Sequence, residues 1–152
     1  MTINIRVASE KDIPAIFEVR TSVRDNHLSV EQMAEMGITQ ETIRQALREE
    51  PCIWVALEGD LVIGFTMADA ADACVFAAFV RPEWAGQGIG RDLMERAEAF
   101  LFERHSSIWL HTDGSSRAVG FYERLGWERM PDVEHRDARF EKHRPKANGS
   151  EE

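Results

Sequence analysis

Polar and apolar residues alternate through Ile3, Ile5 and Val7, a period of two that predicts a strand. In "SEKDIPAIFEVRTSV" the apolar positions move to helical spacing. Ser9 and Asp12 have capping-box spacing, but Pro14 lacks an N–H and sits best in a first turn, so the helix is expected to start with Asp12 as its cap. Residues 25 to 50 carry a second helical region, from "SVEQMAEMG" to "TQETIRQALREE", broken at Gly37 and restarted at Thr39. "CIWVALEGDLVIGFTMADA" holds two apolar runs around "EGD", the pattern of a hairpin turning at Gly59 and Asp60. "ACVFAAFV", residues 73 to 80, is almost wholly apolar and predicts a central strand buried on both faces, ended by Arg81 and Pro82.

Past a glycine-rich turn, Leu93, Met94, Ala97, Phe100 and Leu101 share one helical stripe, while Asp92, Glu95, Arg96 and Glu98 face away. "SIWLHT" then predicts a strand, "SSRAVGFYERLG" a short helix closed by Gly126, and "WERM" with "DARFEKH" a final strand pair. Strands and helices in this mixed order suit an α/β sheet with helices on both faces. At 152 residues the chain has room for one domain with a real core, expected over residues 1–144, followed by a polar tail over 145–152.

Composition narrows the classes. No basic segment leads into a long apolar run at the start, and no stretch approaches the roughly 18 apolar residues of a membrane span, so no membrane partner is expected. Cys52 and Cys74 each lie in an apolar run, where a buried reduced thiol is the expectation; together these features give a cytoplasmic address. A net charge of -9 argues against nucleic-acid binding, which draws on basic surface to displace counterions. Any anionic ligand must therefore find local positive charge.

The turn "GQGIGR" offers it. Glycine permits positive φ and lets a ligand approach the main chain, and a turn that opens a helix points free N–H groups and the positive end of the macrodipole at one spot. The donors are the N–H groups of residues 86 to 91, with Arg91 adding a full charge. Neither familiar nucleotide motif fits: Gly90 is followed by Arg91 and Asp92 instead of Lys and Ser/Thr, and position 93 is Leu93 where a dinucleotide fingerprint has its third glycine.

Two motifs in this order resemble those of the GCN5-related N-acetyltransferase (GNAT) superfamily, which binds acetyl-CoA. The family places Gln/Arg-x-x-Gly-x-Gly/Ala between a central strand and a long helix, aligned here with "AGQGIG", in which Ala85 replaces the Gln/Arg. Its later Asn-x-x-Ala-x-x-Phe-Tyr-x-x-x-Gly-Phe resembles "SSRAVGFYERLGW", in which Ser115 replaces the Asn. The likeness is clearest from Trp54 to Arg129. It implies a mixed, mostly antiparallel central sheet, acetyl-CoA as co-substrate without a metal, and acetyl transfer to a primary amine, of a small molecule or a protein, by direct attack in a ternary complex. A homodimer is compatible with it.

The resemblance also assigns positions. The main chain of Phe79 and Val80 would pair with the pantetheine arm, the pyrophosphate would lie on Gly86, Gln87, Gly88, Ile89, Gly90 and Arg91, and Ser115, Tyr122 and Arg124 would adjoin the cofactor. Tyr122 occupies the family's tyrosine position; a phenol with a pKa of about 10 can protonate a departing thiolate whose thiol has a pKa of about 8.5. Many relatives carry a glutamate on the central strand, but "ACVFAAFV" has no carboxylate. That leaves a solvent-facing water chain or another side chain as the base; His111, at the end of the next strand, is a candidate because an imidazole titrates near neutrality, and Asp113 ranks below it. The family recognises acceptors around its first two helices, here the polar cluster of Arg20, Arg24, Asp25, Asn26 and His27. The alternative is a non-catalytic acetyl-CoA-binding sensor or regulatory module, to which the missing glutamate and Ala85 point and against which Tyr122 speaks.

Overall fold

The structure is a computed structural model and describes residues 3–23, 28–113, 117–131 and 137–145. Its strands are β1 (Ile3–Val7), β2 (Ile53–Glu58), β3 (Leu61–Asp69), β4 (Cys74–Val80), β5 (Ser107–Asp113), β6 (Glu128–Arg129) and β7 (Asp137–His143). The α-helices are α1 (Ile13–Ser22), α2 (Val30–Glu35), α3 (Gln40–Glu49), α4 (Ile89–Phe102) and α5 (Ala118–Arg124). The strands form one seven-stranded sheet in the order β1-β2-β3-β4-β5-β7-β6, mixed and mostly antiparallel as expected, with β4 and β5 its parallel pair. A parallel neighbour requires a crossover, and α4 supplies it.

Helices cover both faces. Leu93, Met94, Ala97, Phe100 and Leu101 are all buried, so α4 lays its predicted stripe on the sheet, each large side chain contributing about 1.5–3 kcal/mol. On this face Trp54 of β2 meets Phe100 edge-on at 5.4 Å. The indole of Trp127, just after α5, donates to Glu98 of α4 at 2.9 Å, and Lys142 of β7 donates to the same carboxylate at 2.8 Å. The opposite face carries α1, whose Ile16 and Phe17 meet Met33 of α2, Ile43 of α3 and Phe65 and Met67 of β3. Cys52 and Cys74 are free thiols, buried as expected, and burial pushes them up to about 11 and about 12. Among the described residues no helix is long and apolar enough to cross a membrane.

Most predicted punctuation holds: Gly37 ends α2 at φ +83°, Thr39 caps α3, the β2–β3 hairpin turns at Gly59 and Asp60, and Gly126 follows α5 at φ +93°. The start of α1 differs from expectation. Asp12 occupies the position before Ile13, yet its carboxylate turns back and accepts from the Ser9 N–H at 2.8 Å and from Arg6 Nη1 at 2.7 Å. The Ser9–Asp12 capping box therefore forms over a short 3-10 turn, Glu10–Asp12, and Pro14 fits the first turn of the α-helix that continues it. Both sequence signals are satisfied because one helix type runs into the other.

Burial alone would raise the Asp12 carboxyl, but its bonds to Arg6 and Ser9 outweigh this and hold it below the ordinary carboxylate range. The carboxyl binds protons more tightly in the unfolded chain, so its contribution is present above an unfolded value of about 3.9 and lost as pH falls through the lower folded value. Asp12→Asn should lower unfolding stability at pH 7 by about 1–3 kcal/mol. Urea titration at pH 7 and pH 3 checks this; the parent–variant difference should shrink at pH 3.

Candidate active site between the two central strands

β4 is not buried on both faces. It pairs with β3 along its length, but with β5 in register only at Cys74↔Trp109, where the Trp109 N–H donates to Ala73 O at 3.0 Å. Beyond that point β5 departs. Phe76 is left 50% exposed and residues 77–80 half-buried, which corrects the expectation drawn from the apolar run. The edge of β4 that faces the gap is a sheet edge in the interior of the sheet, with main-chain groups available to an extended ligand carrying its own amides. A register shift between Met67 and Ala68 marks the bend in the β3–β4 ladder beside Phe76.

The glycine turn lies beyond the carboxyl end of β4. Gly86 and Gly88 both take positive φ, +81° and +83°, and a Cβ on Gly86 would meet nothing within 4 Å. The first main-chain bond of α4 runs from the Asp92 N–H to Gly88 O at 3.1 Å. Among the described residues none of the N–H groups from 86 to 91 donates a hydrogen bond, so the predicted set of donors is free. The guanidinium of Arg91 lies close to the turn, its Nη2 3.2 Å from where a Gly88 Cβ would stand. Free donors, a helix N-terminus and an adjacent cation match an anion such as a pyrophosphate.

Two other glycines serve packing. A Cβ at Gly64 would lie 3.0 Å from Phe79 O and 3.2 Å from both Leu93 and Val80 side chains, and one at Gly90 would lie 3.1 Å from the ring of Phe121. The absence of these methyl groups lets β3, β4, α4 and α5 close at the base of the gap. Sequence reading missed Gly64, although a lone glycine inside an apolar strand signals close approach.

Val80 faces α4, whereas Phe79 faces α1, beside Phe65 at 5.9 Å and under the guanidinium of Arg20 at 4.2 Å. Arg20 is therefore buried and stacked, and burial lowers its pKa. It lines a pocket of about 40 Å³ together with Ile16, Phe17, Met33, Phe76 and Ala77. Arg24, Asp25, Asn26, His27 and Ser115 lie outside the described residues.

Tyr122 is buried on the α4/α5 face, its ring against Phe121 at 5.1 Å, Phe140 at 5.8 Å and Trp127 at 6.3 Å. Burial pushes its phenol up to about 12, so it holds its proton throughout the neutral range. Among the described residues its hydroxyl makes no hydrogen bond. His111 is exposed and packs on Trp109 at 4.8 Å. In the β5–β7 ladder Leu110 pairs with Phe140 and His111 with Arg139, so His111 and Tyr122 belong to opposite faces of β5. The structure does not bring them into contact. Arg124 is exposed and folds back along α5, its Nη1 3.3 Å from where a Gly120 Cβ would stand. Among the described residues no group of three or more His, Cys, Asp or Glu could hold a metal.

Comparison with known proteins agrees with this geometry. Residues 49–129 match the family model of the acetyltransferase (GNAT) domain. Over 132 residues the chain is 29% identical to the peptidyl-lysine N-acetyltransferase YjaB of Escherichia coli, covering 84% of each protein, and 30% identical to that of Salmonella typhimurium, covering 84% of this chain and 85% of the relative. The crystal structure of the PaiA N-acetyltransferase of Thermoplasma acidophilum in complex with coenzyme A superposes with a TM-score of 0.68 at 22% identity, covering 95% of this chain and all of that one. A central strand that loses its parallel neighbour, a glycine turn opening α4, and the extent of these matches lead to one conclusion: the chain belongs to the GNAT family and is an acetyltransferase.

Proposed function

We propose that the protein transfers the acetyl group of acetyl-CoA to a primary amine by direct attack in a ternary complex. The observation that carries this reading is the gap between β4 and β5, with the free N–H groups of residues 86 to 91 beyond the carboxyl end of β4. The residues fit the co-substrate: the turn and Arg91 suit its pyrophosphate, and the open edge of β4 at Phe79 and Val80 suits the amide groups of its pantetheine arm. Gln87 and Ile89 contribute main-chain donors, Gly90 adds its own N–H besides its packing role, and Arg124 and Ser115 complete the proposed set.

Bound acetyl-CoA supplies an activated acetyl group; the chain supplies placement and proton control. A main-chain N–H near Val80 polarises the acetyl carbonyl. Tyr122 carries a proton at any neutral pH and gives it to the departing sulfur. His111 lies on the face of β5 that continues the α1 side of the sheet, so it takes a proton from an amine arriving on that side, while the acid acts from the α4/α5 side. Arg20, at the pocket on the same side as His111, borders the acceptor. Arg24, Asn26 and His27 stand in the same proposal by their place in the sequence. The curated bacterial relatives are peptidyl-lysine N-acetyltransferases, which makes a lysine amine the first acceptor to try. The retained Tyr122 favours catalysis over a sensor.

Gly88→Val introduces a branched side chain at φ +83° and against Arg91, so acetyl-CoA binding should fall by at least about a hundredfold in a variant shown to be folded. Isothermal titration measures it, and unchanged affinity rejects the placement. Tyr122→Phe keeps the ring among Phe121, Trp127 and Phe140 but removes the proton. Its kcat should drop by about 10²- to 10⁴-fold with acetyl-CoA affinity nearly unchanged. Steady-state kinetics beside a binding titration decides this, and a kcat within about twofold of the parent, chemistry being rate-limiting, returns Tyr122 to packing.

A further inference from the structure

Three polar or charged side chains are buried among the described residues, Asp12, Arg20 and Thr66, and Thr66 alone is wholly enclosed. It lies in the middle of β3 between Phe65 and Met67, which line the pocket on the α1 side, so its own side chain belongs to the α4 side of the sheet. Its hydroxyl donates to Ala77 O of β4 at 2.9 Å. Branching at Cβ restricts the side-chain torsion, which keeps that hydroxyl in place.

The strand register decides what the bond controls. The Arg81 N–H donates to Ile63 O at 2.8 Å, and hydrogen-bonded pairs alternate along an antiparallel ladder. Phe65↔Phe79 and Met67↔Ala77 therefore exchange main-chain bonds, whereas Gly64↔Val80 and Thr66↔Ala78 do not. The approach of Phe79 O to within 3.0 Å of where a Gly64 Cβ would stand agrees with this. The N–H and C=O of Ala78 thus turn away from β3, toward the edge that β5 leaves after Cys74↔Trp109. In a trans amide the carbonyl and the N–H point in opposite directions, so a carbonyl of Ala77 aimed at β3 and an N–H of Ala78 aimed into the gap are one arrangement.

This amide has little else to hold it. The register shift leaves Phe76, directly before Ala77, without a partner on β3, and no strand pairs with Ala78 on the open side. Thr66 steadies the amide from the closed side. A carbonyl that accepts a hydroxyl also makes the N–H of its own amide a stronger donor.

The glycine turn lies beyond the carboxyl end of β4, so a ligand running from it along the open edge passes Val80 before Ala78. Resting on the acetyltransferase reading above, we propose that Thr66 is a positioning residue for acetyl transfer: its hydroxyl fixes the Ala77–Ala78 amide so that the Ala78 N–H meets the thioester oxygen as negative charge develops on it. Donors set in advance where charge develops are among the most effective devices of catalysis. The Val80 N–H, facing the same edge nearer the turn, is left for the pantetheine arm.

The test binds acetyl-CoA, isotope-labelled at the acetyl carbonyl, to the parent and to Thr66→Val, Thr66→Ala and Thr66→Ser. Infrared difference spectra read the carbonyl stretch, calorimetric titration reads affinity, and a blocked lysine peptide serves as acceptor for single-turnover rates. Thr66→Val and Thr66→Ala remove the hydroxyl at two side-chain sizes; both should move the stretch above the parent's frequency while acetyl-CoA affinity stays within about twofold. Transfer should slow about tenfold, less than the roughly 10²- to 10³-fold loss on deleting an oxyanion donor outright, because the amide remains and only its aim and strength change. Thr66→Ser keeps the hydroxyl and should restore both readouts. A parent-like stretch in either folded hydroxyl-free variant with acetyl-CoA bound, an unchanged transfer rate, or a Ser variant that behaves like Val overturns the role of Thr66 and leaves the acetyltransferase standing. If the peptide is not an acceptor, the stretch alone decides. Failure of the parent to bind acetyl-CoA overturns the reading beneath the proposal, and the proposal with it.

Discussion

Hydrogen bonding between β4 and β5 stops after Cys74 and Trp109, and the rest of the site depends on that interruption. A sheet gains by continuing its ladder, so a central apolar strand left without its neighbour needs compensation elsewhere. β3 provides it on one side, holding β4 to Val80, and Arg81 clamps the end of the strand by donating from its side chain to Val62 O at 2.9 Å and from its main chain to Ile63 O at 2.8 Å. The open edge is then a place where an extended molecule completes the sheet.

The gap also divides the labour between two faces. On one, α4 and α5 are locked to each other and to β7 through Glu98, and Gly64 and Gly90 let them close at the base of the gap; this face carries the free turn donors and the buried phenol. On the other, α1 to α3 wall a small apolar pocket. A phenol kept neutral by burial and a histidine open to solvent thus sit on opposite sides of one strand.

Much of this was legible in the residues. Period-two and helical spacing placed the described elements, because these periods follow from local backbone geometry. Gly86 and Gly88 announced the turn because positive φ is nearly a glycine property. The errors share one origin. "ACVFAAFV" looked buried on both faces because apolarity records a need for cover without saying what supplies it. That Arg20 would bury its alkyl stem and stack its guanidinium on Phe79 has no mark among its neighbours along the chain. Asp12 looked like a simple cap because its bond to Arg6 comes from the preceding strand.

The sequence by itself determined the elements and the glycine turn that opens α4, since each rests on interactions among near neighbours along the chain or on the conformational range of one residue, while the family resemblance implied the mixed, mostly antiparallel sheet. Only the tertiary structure decided that β5 leaves β4 after one pair, that Tyr122 and His111 belong to opposite faces, and that Phe76 is left half-exposed beside a pocket walled by α1 to α3. Those outcomes depend on which distant segments compete for the same strand edge. Long-range pairing settles that competition, and it has no local signature.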